Sequence, residues 1–144
     1  MARQDFYVNG EVKREYVVLA LKAARRLLAE SDAEALWIVG IDLRKLKYSS
    51  DIRFAVGDEN AKLFAKGEHL KEKGKIVRYY TERTLPRMGE NAIVLLIHPT
   101  NRLMTKADQI PVCAALIVVP YFFKDVQVWI NTHKPTDILQ LMSS

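Results

Sequence analysis

Two stretches in the C-terminal half of the chain are apolar at every position, and they constrain the fold most. Residues 92–97 read Ala-Ile-Val-Leu-Leu-Ile, and residues 114–119 read Ala-Ala-Leu-Ile-Val-Val. A strand with no polar position suits a sheet that is covered on both faces. Parallel sheets packed between two layers of helices provide that cover. The two stretches therefore predict an α/β fold with a mainly parallel sheet.

Two further segments are candidates for the same sheet. Residues 75–80 read Lys-Ile-Val-Arg-Tyr-Tyr and are rich in the side chains that strands favour. Residues 36–39 form a short apolar run, but Ser31 and Glu34 in front of it also have the spacing of a helix capping box. We favour a strand followed by a helical turn, although residues 33–48 stay open between strand and helix because so short a run has no diagnostic period. The sheet is then expected to have three or four strands.

Helical periodicity supplies the layers on both faces of this sheet. Residues 11–30 place apolar side chains on one broad face and basic side chains on the other. Residues 58–73 begin with acids and end with lysines, as the helix dipole favours, whereas residues 48–57 read as irregular. Shorter helices are expected at residues 101–107, 125–132 and 135–142. No linker or repeat divides the chain, so residues 1–144 are expected to form a single three-layer domain.

The charge of the chain is moderately positive and unevenly distributed. There are 22 Lys and Arg residues against 17 Asp and Glu residues, a formal net charge of +5, and nearly all the excess precedes residue 91. This charge permits an anionic partner such as nucleic acid, an acidic protein or a phosphorylated small molecule, and it equally suits a solvated surface. The candidate contact is the basic face of the first helix, which carries Arg14, Lys22, Arg25 and Arg26.

Several classes of protein are disfavoured by features that the sequence lacks. Cys113 is the only cysteine, so neither an intrachain disulfide nor a cysteine-based zinc site can form, and its apolar surroundings predict a buried thiol. The N-terminal residues lack the apolar region of a signal peptide, and residues 112–121 are too few to span a bilayer as a helix. We therefore expect a cytoplasmic protein with no membrane partner.

No cofactor or metal is expected from the sequence motifs. The histidines have no helical i, i+4 spacing of the kind that metal sites use, and the dinucleotide fingerprint G-x-G-x-x-G is absent. The nucleophile elbow G-x-S-x-G is absent as well, which disfavours a serine hydrolase.

The residues that follow the predicted strands are the candidate ligand site, because open parallel sheets bind ligands beyond the carboxyl ends of their strands. These candidates are Arg83, His98, Thr100, Asn101 and Tyr121. His98 directly follows an apolar strand and is the candidate general acid or base, since imidazole titrates near neutral pH. Arg83 and Thr100 could hold an anion that Tyr121 orients. Ordinary polar loops would give the same pattern, so catalysis is left open.

Residues 92–103 resemble a segment of the superfamily 2 helicases, in which an apolar strand runs through Pro-Thr into a helix. In that family the segment touches the nucleic-acid backbone; here Pro99 and Thr100 stand at the corresponding place. The phosphate-binding G-x-x-x-x-G-K-[ST] of such enzymes is absent, and so is an Asp-Glu-x-Asp run. ATP-driven unwinding is therefore excluded, and the family's residue roles are not carried over.

Three functions remain, in the following order. The first is a non-catalytic binding or regulatory module that recognises an anionic partner through the basic N-terminal half. The second is a small nucleotide- or phosphate-binding domain, or an enzyme, built around His98. The third is a structural or homo-oligomerisation domain, in which Tyr121, Phe122, Phe123 and Trp129 would form an exposed apolar patch.

Overall fold

One sheet of seven strands runs through the described part of the chain, which comprises residues 3–10, 13–47, 50–111 and 113–143 of a computed structural model. The strands are β1 (Gln4–Tyr7), β2 (Ala35–Gly40), β3 (Leu70–Glu72), β4 (Lys75–Thr81), β5 (Ala92–Ile97), β6 (Cys113–Val119) and β7 (Thr136–Asp137). Their order is β3-β4-β2-β5-β6-β1-β7, and every neighbouring pair is parallel except the β3–β4 hairpin. The predicted α/β class is confirmed, and the sheet has more strands than the three or four expected.

The helices cover both faces of this sheet. They are α1 (Arg14–Glu30), α2 (Arg44–Lys47), α3 (Asp51–Val56), α4 (Asp58–Ala65), α5 (Asn101–Asp108), α6 (Phe123–His133) and α7 (Ile138–Ser143). One core joins α1, α3, α4 and α7 to Ile38, Leu95 and Ile117 of the sheet. The other core joins α5 and α6 to Trp37 and Val118. Because side chains alternate between the faces of a strand, each central strand contributes to both cores.

One helix prediction and one prediction of irregular structure were wrong for local reasons. The helix predicted for residues 58–73 ends at Ala65, because Gly67 adopts a φ of 83° and turns the chain towards β3. Within residues 48–57, which were expected to be irregular, α3 forms because the Ser50 side chain accepts a hydrogen bond from the Arg53 backbone N–H at 3.2 Å. Residues 48 and 49 lie outside the described residues.

Residues 33–48 contain the strand and the helical turn that the sequence favoured. β2 is buried at all six positions, and α2 follows it. The Ser31 hydroxyl accepts a hydrogen bond from the Ala33 N–H at 3.2 Å, so this serine shapes the turn that enters β2 and begins no helix.

The connections diverge between two adjacent central strands. From β2 the chain passes through α2, α3 and α4 towards β4, on the face that α1 covers. From β5 it passes through α5 to β6, on the opposite face. Because β2 and β5 are parallel neighbours, the chain leaves their carboxyl ends in opposite directions. Such a topological switch point opens the crevice in which doubly wound sheets bind ligands.

None of the described helices combines the length and the apolar character that a membrane-crossing helix needs.

Candidate ligand site at the carboxyl edge of the sheet

A cleft of about 220 Å³ opens beyond the carboxyl ends of β2 and β5. We call it the switch-point cleft, and it is lined by Ile41, Ser50, Asp51, Ile52, Ile97, His98 and Tyr121. These residues come from four parts of the chain: the residue after β2, the start of α3, the end of β5, and the turn after β6. The divergence of the chain after β2 and β5 therefore leaves a concave site with several polar side chains.

His98 enters the cleft from a strained backbone. Its φ is 54°, in the left-handed region that few residues with a Cβ adopt, although histidine is enriched there. Its N–H donates a hydrogen bond to the Val119 carbonyl at 2.8 Å, which ties the turn after β5 to the end of β6. Its ring meets the Tyr121 ring edge to face, with the centroids 5.2 Å apart. Backbone strain of this kind concentrates at functional sites, so it supports a role for this imidazole.

Asp51 brings a carboxylate to the cleft. It is the first residue of α3, and its Oδ1 accepts a hydrogen bond from Arg14 Nε at 3.3 Å. The Arg14 guanidinium also lies 4.7 Å from the centroid of the Phe54 ring. The Arg14 guanidinium lies outside the lining of the cleft and balances part of the Asp51 charge from there. The Asp51 carboxylate itself lines the cleft and gives it a hydrogen-bond acceptor.

The five predicted ligand residues divide between two places. His98 and Tyr121 line the switch-point cleft, whereas Arg83, Thr100 and Asn101 are not among its lining residues. Arg83 is exposed in the turn after β4, and Asn101 is exposed at the start of α5. α5 and α3 pack on opposite faces of the sheet. The chain therefore leaves neighbouring strand ends towards different surfaces of the molecule.

Thr100 has a local structural role at the start of α5. Its hydroxyl oxygen accepts a hydrogen bond from the Leu103 N–H at 3.1 Å, and the hydroxyl donates to Glu82 Oε1 at 3.2 Å. This is the arrangement of a helix N-cap that is also tethered to the turn after β4. The hydroxyl therefore has two partners within the protein itself.

Sequence reasoning did not find Ser50 and Asp51. Their signal was present, because a serine followed by an acid is typical of a helix start. No local pattern, however, places that helix start beside the end of β5. Their place in the cleft follows from the packing of α3 against α1 and the sheet.

The basic face of α1 is largely occupied by carboxylates of the same chain. Arg25 Nη2 lies 3.3 Å from Glu72 Oε1, and Arg26 Nε lies 3.1 Å from Glu30 Oε1. Arg14 pairs with Asp51 at the opposite end of the helix, and Lys22 is exposed. Exposed ion pairs are weak and can exchange partners, so recognition of an anion through these four residues stays a prediction.

Exposed apolar side chains concentrate at the carboxyl edge of the sheet, where two of them, Ile41 and Tyr121, also line the cleft. Of seven large apolar side chains that are exposed in the described residues, five lie at the carboxyl edge of the sheet, with exposures between 37% and 59%. We call these five the apolar rim: Ile41, Leu43, Phe54, Tyr121 and Phe122. The patch predicted from residues 121–123 and Trp129 was wrong in part, since Trp129 is only 6% exposed and packs against α5.

Cys113 lies away from the cleft, at the start of β6. It is buried, as predicted, and burial raises the pKa of its thiol to about 12, so the thiol stays protonated at neutral pH. In the described ranges there is no group of three or more His, Cys, Asp or Glu side chains that could hold a metal ion.

Comparison with known proteins identified no family: no protein-family model, curated protein or solved structure was found to match the chain. The function has to be argued from the cleft. Its lining combines a carboxylate, an aliphatic hydroxyl, an imidazole and a phenol. Together these groups can orient a small ligand through several hydrogen bonds.

Proposed function

We propose that this protein binds a small, neutral ligand that carries hydroxyl groups, such as a sugar or the ribose of a nucleoside, in the switch-point cleft. The observation that carries the proposal is the convergence of Asp51, His98 and Tyr121 at the divergence of the chain between β2 and β5. A crevice at that point of a parallel sheet is the usual ligand site of the fold class.

The lining chemistry favours hydroxyl groups over an anion. Asp51 is an acceptor, and hydrogen bonds from ligand hydroxyls to a carboxylate are among the stronger ones in proteins. A phosphate in the same place would be repelled by this carboxylate, since the nearby guanidinium of Arg14 is already paired with it. Tyr121 offers a half-exposed ring against which the apolar face of a sugar ring can lie.

The size of the cleft also limits the ligand. Pockets that hold drug-sized molecules measure roughly 300–1,000 Å³. The cleft measures about 220 Å³, which suits a single sugar ring better than a complete dinucleotide. A cytoplasmic location belongs to the same proposal, because the one cysteine is a buried, free thiol.

The experiment is a titration of the ¹⁵N-labelled protein with adenosine, uridine, ribose and glucose, followed by amide chemical shifts. We expect at least one of these probes to shift amides of the turn after β5 and the start of α3. Asp51→Asn should weaken this response, because the amide removes the negative charge and one of the two acceptor oxygens without changing the size of the side chain. Asp32→Asn is the matched control, since Asp32 is exposed near the amino edge of the sheet.

Two results would oppose the proposal. The first is that none of the four probes shifts an amide of the cleft at millimolar concentration. The second is that a probe binds and the Asp51→Asn and Asp32→Asn variants respond equally.

A further inference from the structure

A continuous row of aromatic rings leads out of the switch-point cleft to a cation. The ring centroids of His98 and Tyr121 are 5.2 Å apart, and those of Tyr121 and Phe122 are 4.7 Å apart. Lys124 Nζ then lies 5.5 Å from the centroid of the Phe122 ring. We call these four residues the aromatic strip. It connects the interior of the cleft with the exposed surface of the molecule.

The strip is open to solvent along its outer half. Tyr121 is 49% exposed and Phe122 is 54% exposed, and both belong to the apolar rim. Singly scattered apolar side chains are normal on a protein surface, but a cluster on one edge marks a contact surface. Tyr121 belongs both to this cluster and to the lining of the cleft, so one ligand can contact both.

Cations accompany two exposed rings of the apolar rim. Lys124 lies over Phe122, and Arg14 lies over Phe54, which is 59% exposed and lines a separate hollow on α1. Lys13 lies 5.7 Å from the centroid of the Tyr16 ring, next to Arg14 in the chain. Within the described residues, neither Lys13 nor Lys124 forms an ion pair with a carboxylate of the chain.

We propose that the aromatic strip binds a single-stranded nucleic acid and that the switch-point cleft holds the ribose of one of its nucleotides. The inference rests on the proposed function for that one nucleotide and extends it to the neighbouring ones. A row of rings that ends at a cation matches a single strand, whose bases stack on aromatic side chains and whose phosphates lie near Lys and Arg. Lys124 and Phe122 take the phosphate and the base of the nucleotide next to the cleft.

The carboxylates of this edge favour a strand over a flat anionic surface. Asp42, Asp51 and Asp58 lie on the same edge as the cations and pair with Arg44, Arg14 and Arg53. A membrane surface would meet all of these groups at once, so its attraction to the cations would be offset by repulsion from the acids. A single strand follows a narrow path along the strip, on which Asp51 meets the hydroxyls of the ribose in the cleft and Lys124 meets a phosphate.

The test compares ligands of increasing length with wild-type protein. Uridine, a uridine dinucleotide and a uridine hexanucleotide are titrated into the protein by calorimetry at two salt concentrations. We expect the hexanucleotide to bind at least tenfold more tightly than uridine. We also expect its affinity to fall with salt, because phosphate contacts release counterions. A duplex of the same length should bind more weakly, since its bases are not free to stack on the strip.

Variants of the strip then identify the residues that produce the higher affinity for the hexanucleotide. Phe122→Leu keeps an apolar side chain and removes the ring, and it should weaken hexanucleotide binding roughly 5- to 150-fold, the effect of losing one stacked base. Lys124→Gln should make the slope of log affinity against log salt less steep, by the amount that about one phosphate contact contributes. Val128→Ala is the matched control, because Val128 is an exposed apolar residue of α6 outside the strip, and it should have no effect.

The possible failures are distinguishable. If uridine binds and the hexanucleotide binds no more tightly, the strip is not a nucleic-acid site while the proposed function stands. If neither uridine nor the hexanucleotide binds, the inference fails, and the titration with adenosine, ribose and glucose decides the proposed function separately. If Phe122→Leu and Val128→Ala behave alike, the strip makes no stacking contact. If sedimentation shows a dimer that Phe122→Leu dissociates, the strip is covered by a second copy of this chain, and the inference is overturned.

Discussion

Replacing His98 by glycine and by alanine would test whether the backbone at the cleft is held in a strained conformation. The φ of His98 is 54°, and its N–H is hydrogen-bonded to Val119, so the conformation is imposed by the pairing of β5 and β6. Both variants lose the imidazole ring and its contact with Tyr121. The difference in unfolding free energy between the two variants therefore reports on the backbone, because the loss of the ring is common to both.

The size of this difference follows from two opposing effects. A left-handed conformation costs a residue with a Cβ about 1–2 kcal/mol, and glycine avoids that cost. Glycine also gives the unfolded chain more freedom than alanine does, which disfavours folding by about 0.4–1 kcal/mol. We therefore expect His98→Gly to be more stable than His98→Ala by about 0.5–1 kcal/mol, or a few degrees in Tm.

Urea denaturation of the two variants, followed by circular dichroism, measures this difference directly. Lys66 provides a matched control, because it ends α4 with a φ of −87°, where alanine is not strained. At that position the order should reverse, with Lys66→Ala more stable than Lys66→Gly. The reasoning is refuted if alanine equals or exceeds glycine in stability at position 98 while the control behaves as expected.

Three further predictions concern the support of the site and its surroundings. Thr100→Ala should destabilise the protein by about 1 kcal/mol, because the Leu103 N–H loses its cap, whereas Thr100→Ser should lose little; urea denaturation measures both. Burial raises the pKa of Tyr79 well above its ordinary value of about 10. Above about pH 10 the unfolded chain therefore loses the phenolic proton while the folded protein keeps it, and the free energy of unfolding falls as the pH rises. The fall in Tm above about pH 10 should be smaller in Tyr79→Phe, which also loses the hydrogen bond to the Asp42 carbonyl. With a pKa of about 12, the Cys113 thiol should resist iodoacetamide in the native protein near pH 8 and react in urea, as mass spectrometry would show; alkylation at equal rates would contradict its burial.

The central part of the fold was predictable because its signal is local. Residues 92–97 and 114–119 are apolar at every position, and burial on both faces of a parallel sheet is the arrangement that satisfies such strands. The same reasoning did not find β1, β3 and β7. These strands have four, three and two residues, and they are strands only because a neighbour supplies their hydrogen-bonding partners.

The sequence alone determined the chemistry available at the end of each strand. It placed His98 directly after β5 and Tyr121 shortly after β6, and both line the cleft. Tertiary structure decided which of these ends share a surface. α3 and α5 pack on opposite faces of the sheet, so Asp51 joins His98 while Thr100 is turned away to cap its own helix. The physical reason is that a strand's own pattern specifies its burial, whereas the direction in which the chain leaves it depends on contacts with distant segments.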